Sequence, residues 1–191
     1  MSRIVVDSIR NSSASSDALT LSSDGKVAFP NNTGNILQVV QAVKTDTSST
    51  TSATYTDISG LSLSITPASN SNKILVTCNV YIGGDDNSFQ GFKVFRDSTA
   101  IGLGTAATGN QTNVSFANFM TNTSSSAYGV RNVCFEFLDS PSSTSSLTYK
   151  IQFASIFNSA SSYINRGHIY SQNVAHNLFP SSTITAMEVA A

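Results

Sequence analysis

Charge is scarce in this chain. Lys, Arg, Asp and Glu make up only 11% of its 191 residues, the formal net charge is −1, and there are just two glutamates. So balanced a sequence offers no basic field to a phosphate backbone, which argues against nucleic acid as a partner. It also repels its own copies weakly, which favours association. Histidine is equally sparse: His168 and His176 stand eight residues apart, without the Cys or second-His spacing of a zinc site. Cys78 and Cys134 can pair in principle, but two cysteines without an export signal do not make a disulfide framework. They are expected to stay reduced and to pack as small apolar side chains. No apolar run approaches the ~20 residues of a membrane span, and the run in MSRIVVDSIR is too short for a signal-peptide core. No membrane insertion is expected, and the chain reads as a soluble protein made inside the cell.

What replaces charge is neutral hydrogen-bonding capacity, with 34 Ser, 20 Thr and 17 Asn. Disorder does not follow, because the chain is 40% apolar and carries eleven Phe and six Tyr. Ser, Thr and Asn compete for helical hydrogen bonds through their own side chains, so long helices are disfavoured. Thr, Val, Ile, Phe and Tyr suit a pleated, half-buried surface instead, and Gly, Asn, Asp and Ser supply the turns. The length allows one core with an appended segment.

Residues 1–35 offer three short apolar pieces, IVVDSI, ALTLSS and KVAF, on a polar leash, with Asp24-Gly25 as a turn between strands. Such strands are marginal alone and make sense if other chains complete the sheet. Residues 36–191 read as a β-sandwich. ILQVVQAVK is apolar on both sides, like a central strand covered on two faces, and the polar KTDTSSTTSAT reads as an exposed loop. Leu61, Leu63 and Ile65 alternate with serines, and Ile74, Val76, Cys78, Val80 and Ile82 fall at every second position. Gly83–Asn87 is turn chemistry leading into FQGFKVF, which together predict a hairpin. After Val114 and Phe116 the adjacent pair Phe119 and Met120 breaks the alternation, as a bulge would produce. Val133, Phe135 and Phe137 share one face of the next strand, whose two faces both look covered. Leu147, Tyr149, Ile151 and Phe153 alternate with polar residues, and Ile184 and Ala186 oppose Met187 and Val189 in the last run. Eight or nine strands are expected from Ile36 onward. With no helices to cross over, they should be mostly antiparallel. The fold class is all-β, an antiparallel jelly-roll sandwich preceded by a short extended N-terminal β segment.

No catalytic signature stands out. No serine sits in a G-x-S-x-G elbow, and Gly102, Gly104 and Gly109 lack the flanking context of a phosphate loop, which favours a plain loop. Asp85, Asp86 and Asn87 offer oxygen ligands such as calcium takes, but the EF-hand pattern is absent and turn formation explains them better. Glu136 and Glu188 are candidate glycosidase carboxylates only if the fold brings them together. A subunit contact for the first and a sheet edge for the second are the expected roles. Tyr81, Tyr163 and Tyr170 can stack on sugars, although half-buried packing is the commoner role. No enzyme, cofactor or metal site is expected.

The ordered set SRIVVDSIRNSSASSDALTLSSDGKV, NILQVVQ, SGLSLSITPASNSNKILV, FRDSTAIGLG, FEFLDSPSSTSSLTYKIQFAS, YINRG and SSTITAMEVA resembles virion fibre proteins of tailed phages, particularly those of marine and cyanobacterial hosts. The resemblance implies an N-terminal segment that joins other virion proteins, with Ile4, Val5, Ile9, Leu19, Leu21 and Val27 as its apolar contacts. It further implies a jelly-roll head similar to the complement and tumour-necrosis-factor type, assembled as a homotrimer, with Phe135 and Phe137 as candidate trimer contacts. A short tail fibre or fibre tip touching a host-surface glycan or protein follows from it. The alternatives are an architectural capsid or tail decoration and, less favoured, a polysaccharide depolymerase. Its location would be the virion, after synthesis in the host bacterial cytoplasm. The long repetitive shaft usual in such fibres does not precede the head-like region, so the appendage stays open.

Overall fold

The computed structural model describes residues 6–10, 12–21, 23, 27–28, 34–105, 109–121, 128–157, 159–171 and 173–191, with backbone only at 27–28. Among them there is no helix. Three short strands, β1 (Ser8–Ile9), β2 (Leu19–Leu21) and β3 (Val27–Ala28), form an antiparallel sheet in the order β1-β2-β3. Asp24-Gly25, the expected turn between the last two, lies outside the described residues. Eleven strands follow: β4 (Ile36–Lys44), β5 (Ser48–Thr50), β6 (Thr56–Ile65), β7 (Lys73–Gly84), β8 (Ser88–Arg96), β9 (Thr99–Ile101), β10 (Phe116–Met120), β11 (Arg131–Asp139), β12 (Leu147–Ser155), β13 (Ser162–Ile164) and β14 (Ser182–Val189). The eight long ones match the expected runs. β5, β9 and β13 are three residues each, too short to show a period, and β5 lies inside the segment expected to be a loop.

One sheet runs β10-β8-β12-β6, with β9 continuing along β8. In the other, β4, β14 and β7 follow one another and β11 pairs β7. Ile82 pairs with both Arg131 of β11 and Ile164 of β13, so those strands lie on opposite edges of β7. The long strands of this sheet therefore run β4-β14-β7-β11. Numbered along the chain, the eight long strands sort as first, eighth, third and sixth against second, seventh, fourth and fifth. That order, antiparallel throughout, is the double Greek key of a jelly roll.

Inward-facing residues of both sheets fill one core. Ile74, Val76, Cys78, Val80 and Ile82 of β7 meet Phe92 and Val94 of β8 and Tyr149, Ile151 and Phe153 of β12, all buried. Polar groups close the ends of the sandwich. Arg96 Nη1 donates to both oxygens of Asp139 at 2.7 Å, and the Tyr149 hydroxyl donates to Asp139 Oδ2 at 2.7 Å, so β8, β11 and β12 are tied together. Burial, and then the hydrogen bond to Asp139, push the Tyr149 phenol well above its ordinary range. Asn165 donates to the carbonyls of Lys44 and Asp46 at 2.8 and 2.9 Å and accepts from Ser182 Oγ, joining β4 to the segment before β14.

Several expectations need correction. β7 and β8 are not a hairpin: they belong to different sheets, and the Gly83–Asn87 turn carries the chain across the sandwich. Alternation assigns a residue to a face but does not say which strand lies beside it. β4 is an edge strand, with Val40 and Ala42 against the core and Val39 and Val43 facing out at 56% and 50% exposure. β10 pairs with β8 in unbroken register, while register shifts occur in β12 against β6 and in β14 against β4. Met120 keeps the inward phase of Phe116 and is buried, and only Phe119 breaks the alternation, because it faces outward. Cys78 is buried, and burial pushes its thiol up to about 12. Cys134 is exposed and hydrogen-bonded rather than packed, its Sγ donating to the side-chain Oδ1 atoms of Asn132 and Asn79 at 2.8 and 3.1 Å.

Candidate functional site

The outer face of the β4-β14-β7-β11 sheet is banded across its strands. The registers align Val39, Met187, Leu75 and Leu138 in one row. The next row is Gln41, Thr185, Thr77 and Glu136, and the one after it Val43, Thr183, Asn79 and Cys134. The first row is wholly apolar, with Val39 56% and Leu138 46% exposed at the two ends, and Ile36 and Leu37 exposed beside it. The second is tied by a hydrogen bond from Gln41 Nε2 to Thr185 Oγ1 at 2.8 Å. Glu136 is the one charged side chain in the three rows. An apolar row thus lies beside a neutral hydrogen-bonding row on this face.

Glu188 sits on the other side of the same sheet, fully buried, on the inner strand β14 and not at a sheet edge. Burial opposes its ionisation, but hydrogen bonds from Asn72 Nδ2 at 2.6 Å, Gln38 Nε2 at 2.5 Å and the Ala68 amide at 2.7 Å outweigh it and hold the carboxyl below its ordinary range. Glu136 and Glu188 therefore lie on opposite faces of one sheet and do not form a carboxylate pair across a cleft.

A polar cluster forms where β7 and β13 meet. Asp85 Oδ2 accepts from the Ser161 amide at 2.7 Å, and Oδ1 faces Nδ1 of His168 and the Tyr163 hydroxyl. The Arg166 guanidinium lies 3.8 Å over the Tyr163 ring, above an open cleft of about 500 Å³ that Ser49, Thr50 and Ser52 also line. The Asp85–His168 pair escapes sequence reading because its members are distant in the chain and neither carries a local signal. Asp85 is thus spent on donors of its own chain, and Asn87, at φ 58°, donates to Asp86 as a turn residue does. His176 packs edge-on against Tyr128 at 4.4 Å, away from His168's partners. Tyr81 and Tyr163 are half-buried, whereas Tyr170 is 55% exposed against Phe179.

Phe135 and Phe137 face inward, half-buried against the core, with Phe135 stacked on Phe116 at 5.7 Å. Gly102, at φ +60°, lies so close to the Phe135 ring that a Cβ there would meet Cζ at 2.4 Å. The outward neighbours of these rings on β11 are Cys134, Glu136 and Leu138. In the N-terminal sheet, Ile9 is 56% and Leu21 39% exposed, while Leu19 is half-buried. Val27 is placed in β3 by its backbone, and Ile4 and Val5 lie outside the described residues.

No family model matches the chain. No curated protein matches it either. Among solved structures it is similar to that of infectious bursal disease virus, Gt strain, at 12% identity and a TM-score of 0.42 over 87% of this chain and 41% of that one. The Gx strain gives 15% identity and a TM-score of 0.40 over 87% and 39%. The VP2 subviral particle of the same virus gives 11% identity and a TM-score of 0.37 over 87% and 40%. The chain spans about two fifths of the length of the chains it matches.

Proposed function

We propose that this chain is a non-enzymatic structural protein of a phage virion, a short homotrimeric tail fibre or fibre tip that touches the host surface. The observation that carries the reading is the apolar row Val39, Met187, Leu75 and Leu138 on the outside of a finished sandwich. In a solitary chain that row gains nothing; against a second copy it buries dry surface at little electrostatic cost. The trimeric state and the phage assignment rest on the sequence resemblance. The exposed Ile9 and Leu21 of the small N-terminal sheet support attachment to another virion protein through that segment. Glu136 sits in the contact face, where its one charge would lie at the rim of the packed row.

Sedimentation equilibrium at micromolar concentration tests the reading. A trimer mass that falls to one chain in Leu138→Asp, with an unchanged circular dichroism spectrum, is the expected result, and a monomeric wild type would sink it. A purely architectural decoration would use the same face; labelled protein binding to host cells separates the two, since a decoration should show none.

A further inference from the structure

We propose a second site, distinct from the contact face: a cleft at one end of the β10-β8-β12-β6 sheet that binds a neutral oligosaccharide. Phe89 and Phe119 are directly paired across β8 and β10 and point outward, their ring centroids 4.3 Å apart. Phe157, in the segment after β12, meets Phe89 edge-on at 5.4 Å. All three rings stay exposed, at 42%, 38% and 52%. Side chains of this size are normally covered when they cluster, so an exposed trio marks a binding surface.

Phe89 and Phe157 border a cleft of about 470 Å³, within the range of small-ligand sites, and Phe119 packs on Phe89 beside it. Its remaining walls include Val114, Ile156, Asn110, Thr112 and Asn118, with no charged side chain among the described residues that line it. Asn118 spends one amide hydrogen on Gln90 Oε1 at 3.0 Å, while the side chains of Asn110 and Thr112 form no hydrogen bond to another described residue. Gly91 makes the wall possible: a Cβ there would stand 2.4 Å from both Ile156 Cδ1 and the Tyr55 hydroxyl and 3.2 Å from Val114 Cγ1. That Tyr55 hydroxyl, close to Gly91, is buried without a hydrogen-bond partner among the described residues.

Aromatic faces next to uncharged amides and hydroxyls match one ligand class closely. A pyranose presents a sheet of C–H groups to stack on a ring and a rim of hydroxyls that both donate and accept, as amide and hydroxyl side chains do. An anionic sugar would find no cation among the described residues that line the cleft, and an apolar ligand would bury Asn110 and Thr112 without partners. The site deepens the host-contact reading and rests on it for where the sugar comes from.

Saturation-transfer difference NMR of the full chain with maltotriose, galactobiose, chitotriose and a sialylated lactose, together with sedimentation, tests the proposal. The expected result is ring-proton transfer to at least one neutral oligosaccharide, with affinity reduced tenfold or more in Phe157→Ala and in Asn110→Ala and oligomer mass unchanged. Absence of transfer to any neutral sugar would overturn it, as would binding that survives both substitutions. A lower oligomer mass in Phe157→Ala would instead make the trio a contact between copies. A wild type that forms trimers yet binds no sugar sinks the sugar site and leaves the structural reading intact; sugar binding by a monomer does the reverse.

Discussion

The two sheets of the sandwich end in different outer faces. On the β10-β8-β12-β6 sheet, Lys150 Nζ pairs with Asp57 at 2.9 Å, Gln152 donates to the same carboxylate at 2.7 Å, and Ser64 and Thr148 share a hydrogen bond across β6 and β12. Lys93 lies 4.4 Å over the Tyr55 ring. Away from the exposed Phe89, Phe119 and Phe157 cluster, the polar side chains of that face satisfy one another. The β4-β14-β7-β11 face instead sets four apolar side chains in line and keeps its polar row neutral. One layer of the same core carries mutually satisfied polar groups along β6 and β12 and the other a line of four apolar side chains, a division that the cross-strand registers expose.

The sharpest contrast runs along a single strand, β11, between inward Phe135 and outward Leu138. Phe135→Ser should cost about 2–4 kcal/mol of folding stability, because it opens a hole beside Phe116 and Gly102. Urea denaturation measures it, and a loss below about 1 kcal/mol would show that the inward row is not core.

On the inner side of the apolar sheet, Glu188→Leu should cost roughly 2–3 kcal/mol by stranding the donors of Asn72, Gln38 and Ala68. The wild-type carboxyl has its folded pKa below the ordinary 4.5, so its contribution is complete above that value and is lost as pH falls from there through the folded pKa. Melting temperature followed from pH 6 to pH 3 should decline less steeply in the variant; parallel curves would discount the buried carboxylate.

Leu138→Asp should shift folding by no more than about 0.5 kcal/mol, as exposed substitutions do, while abolishing association. Finding the loss in folding and not in mass would put Leu138 in the core and erase the difference between the faces. The smallest effect belongs to the opposite face. Lys150→Ala should change stability by about 0.2–1 kcal/mol, less at high salt, and leave the oligomer mass alone, since Asp57 is more than half exposed. An assembly defect in this variant would mean that the self-satisfied face is also a contact.

How much of this was legible beforehand depended on whether the information was local. Ile74 to Ile82 and Leu147 to Phe153 could be placed on an inward face because a two-residue period is written in consecutive positions. β4 could not: a run apolar on both sides reads the same whether its second face is covered by a sheet or waits for a neighbour. The Asp85–His168 pair and the Phe89, Phe119 and Phe157 trio had no spacing to betray them, since their members come from separate segments and meet only once the turn after β7 and the chain after β12 are in place.

The sequence by itself determined an all-β chain with mostly antiparallel strands, few charges and long helices disfavoured, because side-chain shape and hydrogen-bonding competition act residue by residue. Tertiary structure alone decided that β7 and β8 part into different sheets, that β4 is an edge, that Glu188 is buried and that Val39, Met187, Leu75 and Leu138 stand in one line. Each of those is a matter of register between strands distant in the chain, which packing of the whole core sets and no local pattern encodes.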